Sequence, residues 1–522
     1  MQPLEIALFL AGTALLAALV IVRLRNYARP DYIFVACIVV LVSGLVFEGY
    51  RWQMAPAYIA IGVMGLILLK RRTASFGWRL LGATPVLLLL ALTLFLGAQM
   101  PVMNLPVPDG PYAVGTFDYT VTDESRRERH QPDRARTLPV NVWYPVNQSE
   151  ANDYPVKPFW YEMYRGNTDP SKLVFGYLQH IDTHSHIEAP ISDRGQFPVL
   201  VFNPGGAVFP VEQNTLLIEH LVSHGYVVFG IGHPYENRTT LPDIGTIRVS
   251  QELPDDVALD TADAPNAIDI LLGGNIELWR PIWQTENRDL FNGFNSSLGN
   301  FMSAQNTSER EAIVDATLNS GILEPLGVPL TREALMDVFI AFMHLTLVNE
   351  TWVADTRFVV DRISRATYPI ANFLAQVDAQ QIGVFGMSLG GSVAAAFCKV
   401  DEKCVTGINL DGTEFHKNWD RPIASPFLKL HHEDSPDNNF AITPPTNDLH
   451  LYTVEGTTHN DFMDTAYFLP LFQTLGMGGP VDGKQVVSTI NEIVLNHFNY
   501  YMKDEGSTPF AIRGVVERPA AE

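Results

Sequence analysis

The stretch Gln381–Phe397, QIGVFGMSLGGSVAAAF, constrains this chain more than any other. An apolar run (Ile382, Val384, Phe385) meets Gly386-Met387-Ser388-Leu389-Gly390-Gly391, and an alanine-rich helical pattern begins at once. A buried strand that turns this abruptly into a helix holds the corner residue in a strained backbone conformation. Small neighbours two positions to either side are needed for the chain to pass. The side chain at the corner then stands clear of the sheet, and the next N–H points out from a helix start. Ser388 occupies that corner. The blander reading of Gly-x-Ser-x-Gly is an ordinary turn; the strand before it and the helix after it favour a nucleophile.

A serine hydroxyl is a poor nucleophile alone. It needs an imidazole to take its proton and a carboxylate to orient that imidazole. On a sheet with this corner the chain order is serine, acid, histidine. The histidines beyond Ser388 are His416, His431, His432, His450, His459 and His497. Only His459 falls in a loop directly after a late strand, in VEGTTHNDFMD, where a general base belongs. His431 and His432 fall inside an expected strand, so one of them should face the core or the sheet edge without a chemical role. Two acids compete. Asp411 ends the run CVTGINLDG, and Asp434 ends PFLKLHHED, the more usual acid position. Either would face the crevice at the C-terminal ends of parallel strands.

The flanking pattern fits an α/β sheet. VGTFDYTVTD (Val114–Asp123) and TLPVNVWYPV (Thr137–Val146) alternate like an antiparallel pair. FPVLVFNPGG (Phe197–Gly206), YVVFGIGHP, CVTGINLDG, PFLKLHHED and LHLYTVEG read as short buried strands between helical stretches. Thr331–Leu347 and Thr351–Ile370 read as two helices, and the last helix runs near Lys484–Met502. The expected fold class is therefore an α/β-hydrolase fold: a mainly parallel sheet with helices on both faces. Residues 237–350 or so are too long for a connection and read as an inserted cap. In it Phe339, Phe342, Met343 and Leu345 form a helical stripe, read as cap core, or else as an acyl pocket or a lipid-facing surface.

The first hundred residues differ from the rest. Leu4–Val22, Tyr32–Phe47, Ala55–Leu69 and Leu80–Met100 are apolar runs, and about 20 helical residues span a bilayer core. The two middle runs are short and draw on Tyr50, Trp52 and Met54. An all-α bundle of four transmembrane helices (1–103) should precede an outer domain (104–522). Arg23, Arg25 and Arg29 follow the first run, and Lys70, Arg71, Arg72 and Arg79 precede the fourth, whereas Arg51 stands alone. Cations stay cytoplasmic. The outer domain is therefore expected to be extracytoplasmic, on a multi-pass protein of the plasma or inner membrane. The chain carries a net charge of −22 although its first hundred residues are basic. So acidic an outer domain is a poor partner for nucleic acid.

Of three cysteines, Cys37 sits in an apolar run, while Cys398 and Cys404 are close enough to bridge in an oxidising compartment. His180, His184 and His186 in HIDTHSH suggest a metal, but nothing in the sequence converges with them, and no metal or cofactor is expected. His233 could line the mouth of a site or simply pack.

The outer domain resembles the platelet-activating-factor acetylhydrolase family, in its plasma-type and bacterial forms. GPYAVGTFDYTVTD, LPVNVWYPV, THSHIEAPIS, FPVLVFNPGG, HLVSHGYVV, GMSLGGSVA, INLDG and HNDF carry the resemblance. It implies a triad of Ser388, Asp411 and His459, with Asp434 set aside. It also implies an oxyanion hole from the Leu389 amide and the Gly206 amide, with Gly205 as its rival. Here Asn203-Pro204-Gly205-Gly206 replaces a more usual Ser-His-Gly turn, and Pro204 removes one donor. The implied activity is a serine esterase, without a cofactor, acting on short acyl esters of phospholipids or on small esters beside the bilayer. A hydrolase-like binding or sensory domain, an acyltransferase or a peptidase could use the same residues.

Overall fold

A computed structural model of the protein describes residues 2–21, 29–70, 76–165, 171–250, 282, 285, 287–327, 330–366, 371–418, 421–435, 448–506 and 514–517. It divides into two compact units. One comprises Met1–Leu105, Met163–Asp182 and Tyr467–Met477; the other comprises Pro106–Glu162, Thr183–Ala466 and Gly478–Glu522.

In the first unit each apolar run becomes one helix: α1 (Pro3–Val20), α2 (Pro30–Phe47), α3 (Ala55–Lys70) and α4 (Phe76–Gln99). Pro3 and Pro30 sit in the first turn of their helices, where a missing N–H costs nothing. A 3-10 turn, Trp52–Met54, leads into α3 and supplies the length that run lacked. The seam is built of Leu8, Leu15, Ala57, Ala60, Ile61 and Leu90, and the small residues let the helices approach closely. Leu10, Val39, Val46, Leu66 and Leu88 stand exposed on the outer faces. Arg51 is buried: its Nη1 lies 2.7 Å from Glu5 and its Nη2 donates to the Met100 carbonyl at 2.6 Å. The lone cation between α2 and α3 is thus spent on an internal ion pair. Arg23, Arg25, Arg71 and Arg72 lie outside the described residues. Two later segments join this unit: Trp52 Nε1 donates to the Val174 carbonyl at 2.9 Å, and Thr474 Oγ1 donates to Gln99 Oε1 at 2.9 Å.

The second unit is built on an eleven-stranded sheet. Its strands are β1 (Ala113–Glu128), β2 (Gln131–Val146), β3 (Val156–Pro158), β4 (Asp182–Ile187), β5 (Phe197–Asn203), β7 (Val227–Ile231), β10 (Val377–Met387), β11 (Thr406–Leu410), β12 (Phe427–His432), β13 (Leu449–Val454) and β14 (Val515–Glu517). Three further strands, β6 (Ala207–Pro210), β8 (Asn237–Leu241) and β9 (Gly245–Ile247), form a small sheet of their own. The large sheet runs β14-β13-β12-β11-β10-β5-β7-β2-β1-β4-β3. From β7 to β13 all neighbours are parallel, and β2 pairs antiparallel with both β1 and β7.

Alternation along the central strands divides the core between two faces. Val199, Val201, Val227, Phe229 and Val384 point to one face; Leu200, Phe202, Val228, Phe385 and Met387 point to the other. The helix α5 (Thr215–Ser223) and the last helix of the chain (Gly483–Lys503) cover the second face through Leu217, Ile218, Ile490, Val494 and Phe498.

The cap holds α6 (Arg288–Ser303), α7 (Thr307–Asn319) and α8 (Arg332–Ser364), each opened by a side-chain cap from Asn287, Asn306 or Thr331. Much of the expected cap, residues 251–281, lies outside the described residues. Where two helices were expected, α8 is one helix of 33 residues. The polar step at Asn349-Glu350-Thr351 looked like a break, but Asn349 is buried and its amide donates to Ser392 Oγ at 2.9 Å. The helix contributes to two cores. Val359, Val360 and Ile363 pack on the sheet, while Phe339, Phe342, Met343 and Leu345 are buried against Phe291, Phe294 and Phe301 in the cap. Among the described residues five helices, α8 among them, are long and apolar enough to cross a membrane, but two-thirds of the α8 span is buried within the protein. The helix after the serine corner is α9 (Leu389–Val400), and the Gly483–Lys503 helix is α10.

Gly390 is where this packing tolerates least. A Cβ there would lie 2.0 Å from the Asn203 carbonyl oxygen. Gly390→Ala is expected to lower stability by about 1–3 kcal/mol or more. Gly195→Ala, at a position with nothing within 4 Å, should leave the thermal midpoint unchanged. Equal melting of the two variants would contradict this packing.

Candidate active site

Ser388 sits between β10 and α9 at φ 54°, ψ −122°, a conformation that non-glycine residues rarely adopt. Its N–H donates to the Leu410 carbonyl at 2.8 Å, and its own carbonyl accepts from Gly391 N at 2.9 Å. The corner is therefore tied to both β11 and the first turn of α9. The flanking glycines are needed for contact: a Cβ on Gly386 would lie 2.2 Å from the Gly390 carbonyl oxygen, and one on Gly391 would lie 2.1 Å from Asn409 Oδ1.

His459 begins a short 3-10 turn after β13. Its Nε2 lies 3.0 Å from Ser388 Oγ, and its Nδ1 lies 2.5 Å from Asp411 Oδ2. The turn is pinned by buried Asp461, which accepts from Thr458 N and from Gly479 N, each at 2.7 Å. Asp411 follows β11 directly, at φ 55°, with its side chain almost wholly buried. Burial opposes its charge, but His432 and then His459 overcome that and hold the carboxyl well below the usual carboxylate range. Asp434 lies in the turn after β12 and bonds neither Ser388 nor His459 among the described residues.

The turn Asn203–Gly206 closes the other side. A Cβ on Gly205 would stand 3.4 Å from Ser388 Cβ, so this backbone passes directly beside Ser388. Neither the Leu389 nor the Gly206 N–H has an acceptor among the described residues. Behind the turn, Asn203 Oδ1 lies 3.2 Å from His233 Nε2, and the other nitrogen of that ring lies 2.9 Å from Asp355 Oδ2. His233 is fully buried and stacks on Trp352 at 3.9 Å, so it packs behind the site rather than lining its mouth. Burial pushes its imidazole down to about 4 despite Asp355, leaving it neutral at pH 7.

Sequence reasoning missed His432. Its main-chain N–H donates to Asp411 Oδ1 at 2.9 Å, and its Nδ1 lies 2.8 and 2.7 Å from the two carboxylate oxygens. Its neighbour His431 instead meets Ser435 Oγ at 3.1 Å. Nothing short of the β11–β12 register could have revealed this.

Among the described residues two sets of side chains bring possible metal ligands together: Asp411, His432 and His459, with Asp411 bonded to both imidazoles, and Asp109, His220 and His224. His184 and His186 belong to neither set. Cys398 and Cys404 are joined in a disulfide between the end of α9 and the start of β11, and Cys37 is free and buried.

No family model matches the chain, and no curated protein matches it. Solved structures do. A ferulic acid esterase from Streptomyces cinnamoneus superposes with a TM-score of 0.53 at 19% identity, over 80% of this chain and 100% of its own. The large, mostly parallel sheet fits an α/β-hydrolase fold. Within this fold Ser388 takes the corner position, and Asp411, the carboxylate that meets His459, follows β11.

The geometry separates the two candidate acids by experiment. Asp411→Asn should slow labelling of Ser388 by a fluorophosphonate by a factor on the order of 10⁴, because an amide at that position favours the wrong imidazole tautomer. Asp434→Asn should label like the unaltered chain. The opposite result would move the acid to β12.

Proposed function

We propose that this protein is a membrane-anchored serine carboxylic ester hydrolase working through an acyl-enzyme. One observation carries the reading: a single imidazole, His459, bridges Ser388 Oγ and the buried Asp411 carboxylate. The amides of Leu389 and Gly206, which have no acceptor among the described residues, support it.

In this mechanism Ser388 Oγ attacks the acyl carbon while His459 Nε2 takes the hydroxyl proton. Asp411 stabilises the imidazolium that results. The negative charge that develops on the carbonyl oxygen is met by the N–H groups of Leu389 and Gly206. His459 returns the proton to the leaving alkoxide as the C–O bond breaks. Water, deprotonated by the same imidazole, then attacks the acyl-enzyme and frees the acid and Ser388.

The substrate class follows from the resemblance to platelet-activating-factor acetylhydrolases: short acyl esters of phospholipids or other small esters. The esterase named among the solved structures is a precedent for ester chemistry on this fold. The exposed apolar faces of α1 to α4 favour lipid as their solvent, which would tether the enzyme at the bilayer with its second unit extracytoplasmic.

The test is turnover of p-nitrophenyl acetate, butyrate, octanoate and dodecanoate by the full chain in detergent, with Ser388→Ala as control. We expect hydrolysis with an optimum at the short esters, falling by a factor on the order of 10³ or more in the variant. A folded chain that hydrolyses none of them and takes up no fluorophosphonate would instead be a binding or sensory domain. Labelling without hydrolysis would favour transfer to another acceptor, or amide cleavage.

A further inference from the structure

We propose that His432 is a positioning residue of this site, whose main-chain and ring N–H groups fix the Asp411 carboxylate in the orientation that His459 requires. The proposal rests on the serine-hydrolase reading above.

It starts from register. Leu410 pairs with Leu430 in the parallel β11–β12 ladder, and Asp411 N continues that ladder by donating to the Leu430 carbonyl at 2.8 Å. Two residues on, β12 delivers His432 to the flank of Asp411. There one residue supplies two donors. Its main-chain N–H reaches Oδ1 at 2.9 Å, and its Nδ1 lies almost equally from both oxygens, at 2.8 and 2.7 Å. A ring N–H shared between both oxygens, plus a main-chain N–H on one of them, stops the carboxylate rotating. Oδ2 is thereby kept at 2.5 Å from His459 Nδ1. Without the His432 ring, that main-chain N–H and His459 Nδ1 are the hydrogen-bond partners left to this buried carboxylate among the described residues.

The other groups facing Asp411 do not replace it. His431 Nδ1 is 4.0 Å from Oδ1 and is turned toward Ser435. Buried Lys429, on the same strand, lies 3.5 Å from Glu414. Glu433 accepts from Gly456 N at 2.8 Å. Without His432 the burial of Asp411 goes less opposed, and protonation of the carboxyl becomes easier. The sign follows. Catalysis needs Asp411 ionised, so the acid limb of the rate profile should move toward neutral pH in a variant lacking the imidazole.

The experiment uses the full chain in detergent, with His432→Ala and His432→Asn. The asparagine amide keeps an N–H near the place of Nδ1. We expect His432→Ala to lower kcat roughly ten- to hundredfold, with little change in KM, because the reacting groups lose alignment rather than substrate binding. Its acid limb should rise, and His432→Asn should recover most of kcat. A purely structural role would lower the melting temperature and the active fraction but leave the acid limb in place, and that result overturns the proposal. So does a His432→Ala enzyme matching the unaltered one in kcat and pH profile while the latter hydrolyses esters; the hydrolase reading would then stand. An unaltered chain with neither turnover nor fluorophosphonate uptake would remove both.

Discussion

The site depends on one backbone strain. Ser388 at φ 54° holds a conformation that costs a non-glycine residue roughly 1–3 kcal/mol and survives only where the surroundings over-determine it. Here the ends of β5 and β11 do so. The Asn203 carbonyl at the end of β5 presses on Gly390, the Leu410 carbonyl at the end of β11 takes the Ser388 N–H, and the Ser388 carbonyl lies where a Cβ on Gly412 would come within 2.1 Å. No side chain fits between these backbones. The serine, the acid at position 411 and the turn at 203–206 are therefore fixed relative to one another by main-chain contact, which is stiffer than any side-chain arrangement.

A second layer stands behind the first. Arg136 on β2 reaches Asp355 on α8 at 2.8 Å and Glu128 on β1 at 2.5 Å, with all three buried. Asp355 holds His233, and His233 meets Asn203, the first residue of the turn beside Ser388. Buried ion pairs of this kind seldom add stability over apolar packing, since desolvation offsets the attraction. Breaking one is costly, because a charge is left unpaired. The network thus acts as a specification: α8 has to sit in one register against β1 and β2 for every group to be paired. The same helix carries the cap core through Phe339 and Phe342, so the position of the cap and that of the turn are set by one rigid element.

What the sequence makes legible is what local physics dictates. Four apolar runs become four helices, alternating and continuous apolar runs become strands, and the glycine pattern announces the corner at Ser388. The resemblance, not the pattern, chose Asp411 over Asp434. The illegible parts all depend on pairing between distant segments. α8 runs through Asn349 because Ser392, far along the chain, accepts its amide. Residues 163–182 and 467–477 pack with the helical bundle, though nothing in their composition separates them from the segments around them. His432 looked like strand interior because a strand's last residue is recognisable only once its neighbour's end is known.

That last case bears on the proposed acid, Asp411, and its place after β11. Asp411 follows β11, which lies next to β10 in the sheet. Asp411 turns at φ 55°, helped by Asn409, whose side chain bonds both the N–H and the carbonyl of Gly412 at 2.7 and 2.8 Å. A buried carboxylate with one imidazole for company would be poorly held. The end of β12, free of an acid that bonds His459, supplies His432 as the second partner. On the proposed reading the two strand ends divide the work that a single acid position would otherwise do: β11 provides the charge, and β12 provides the donors that aim it.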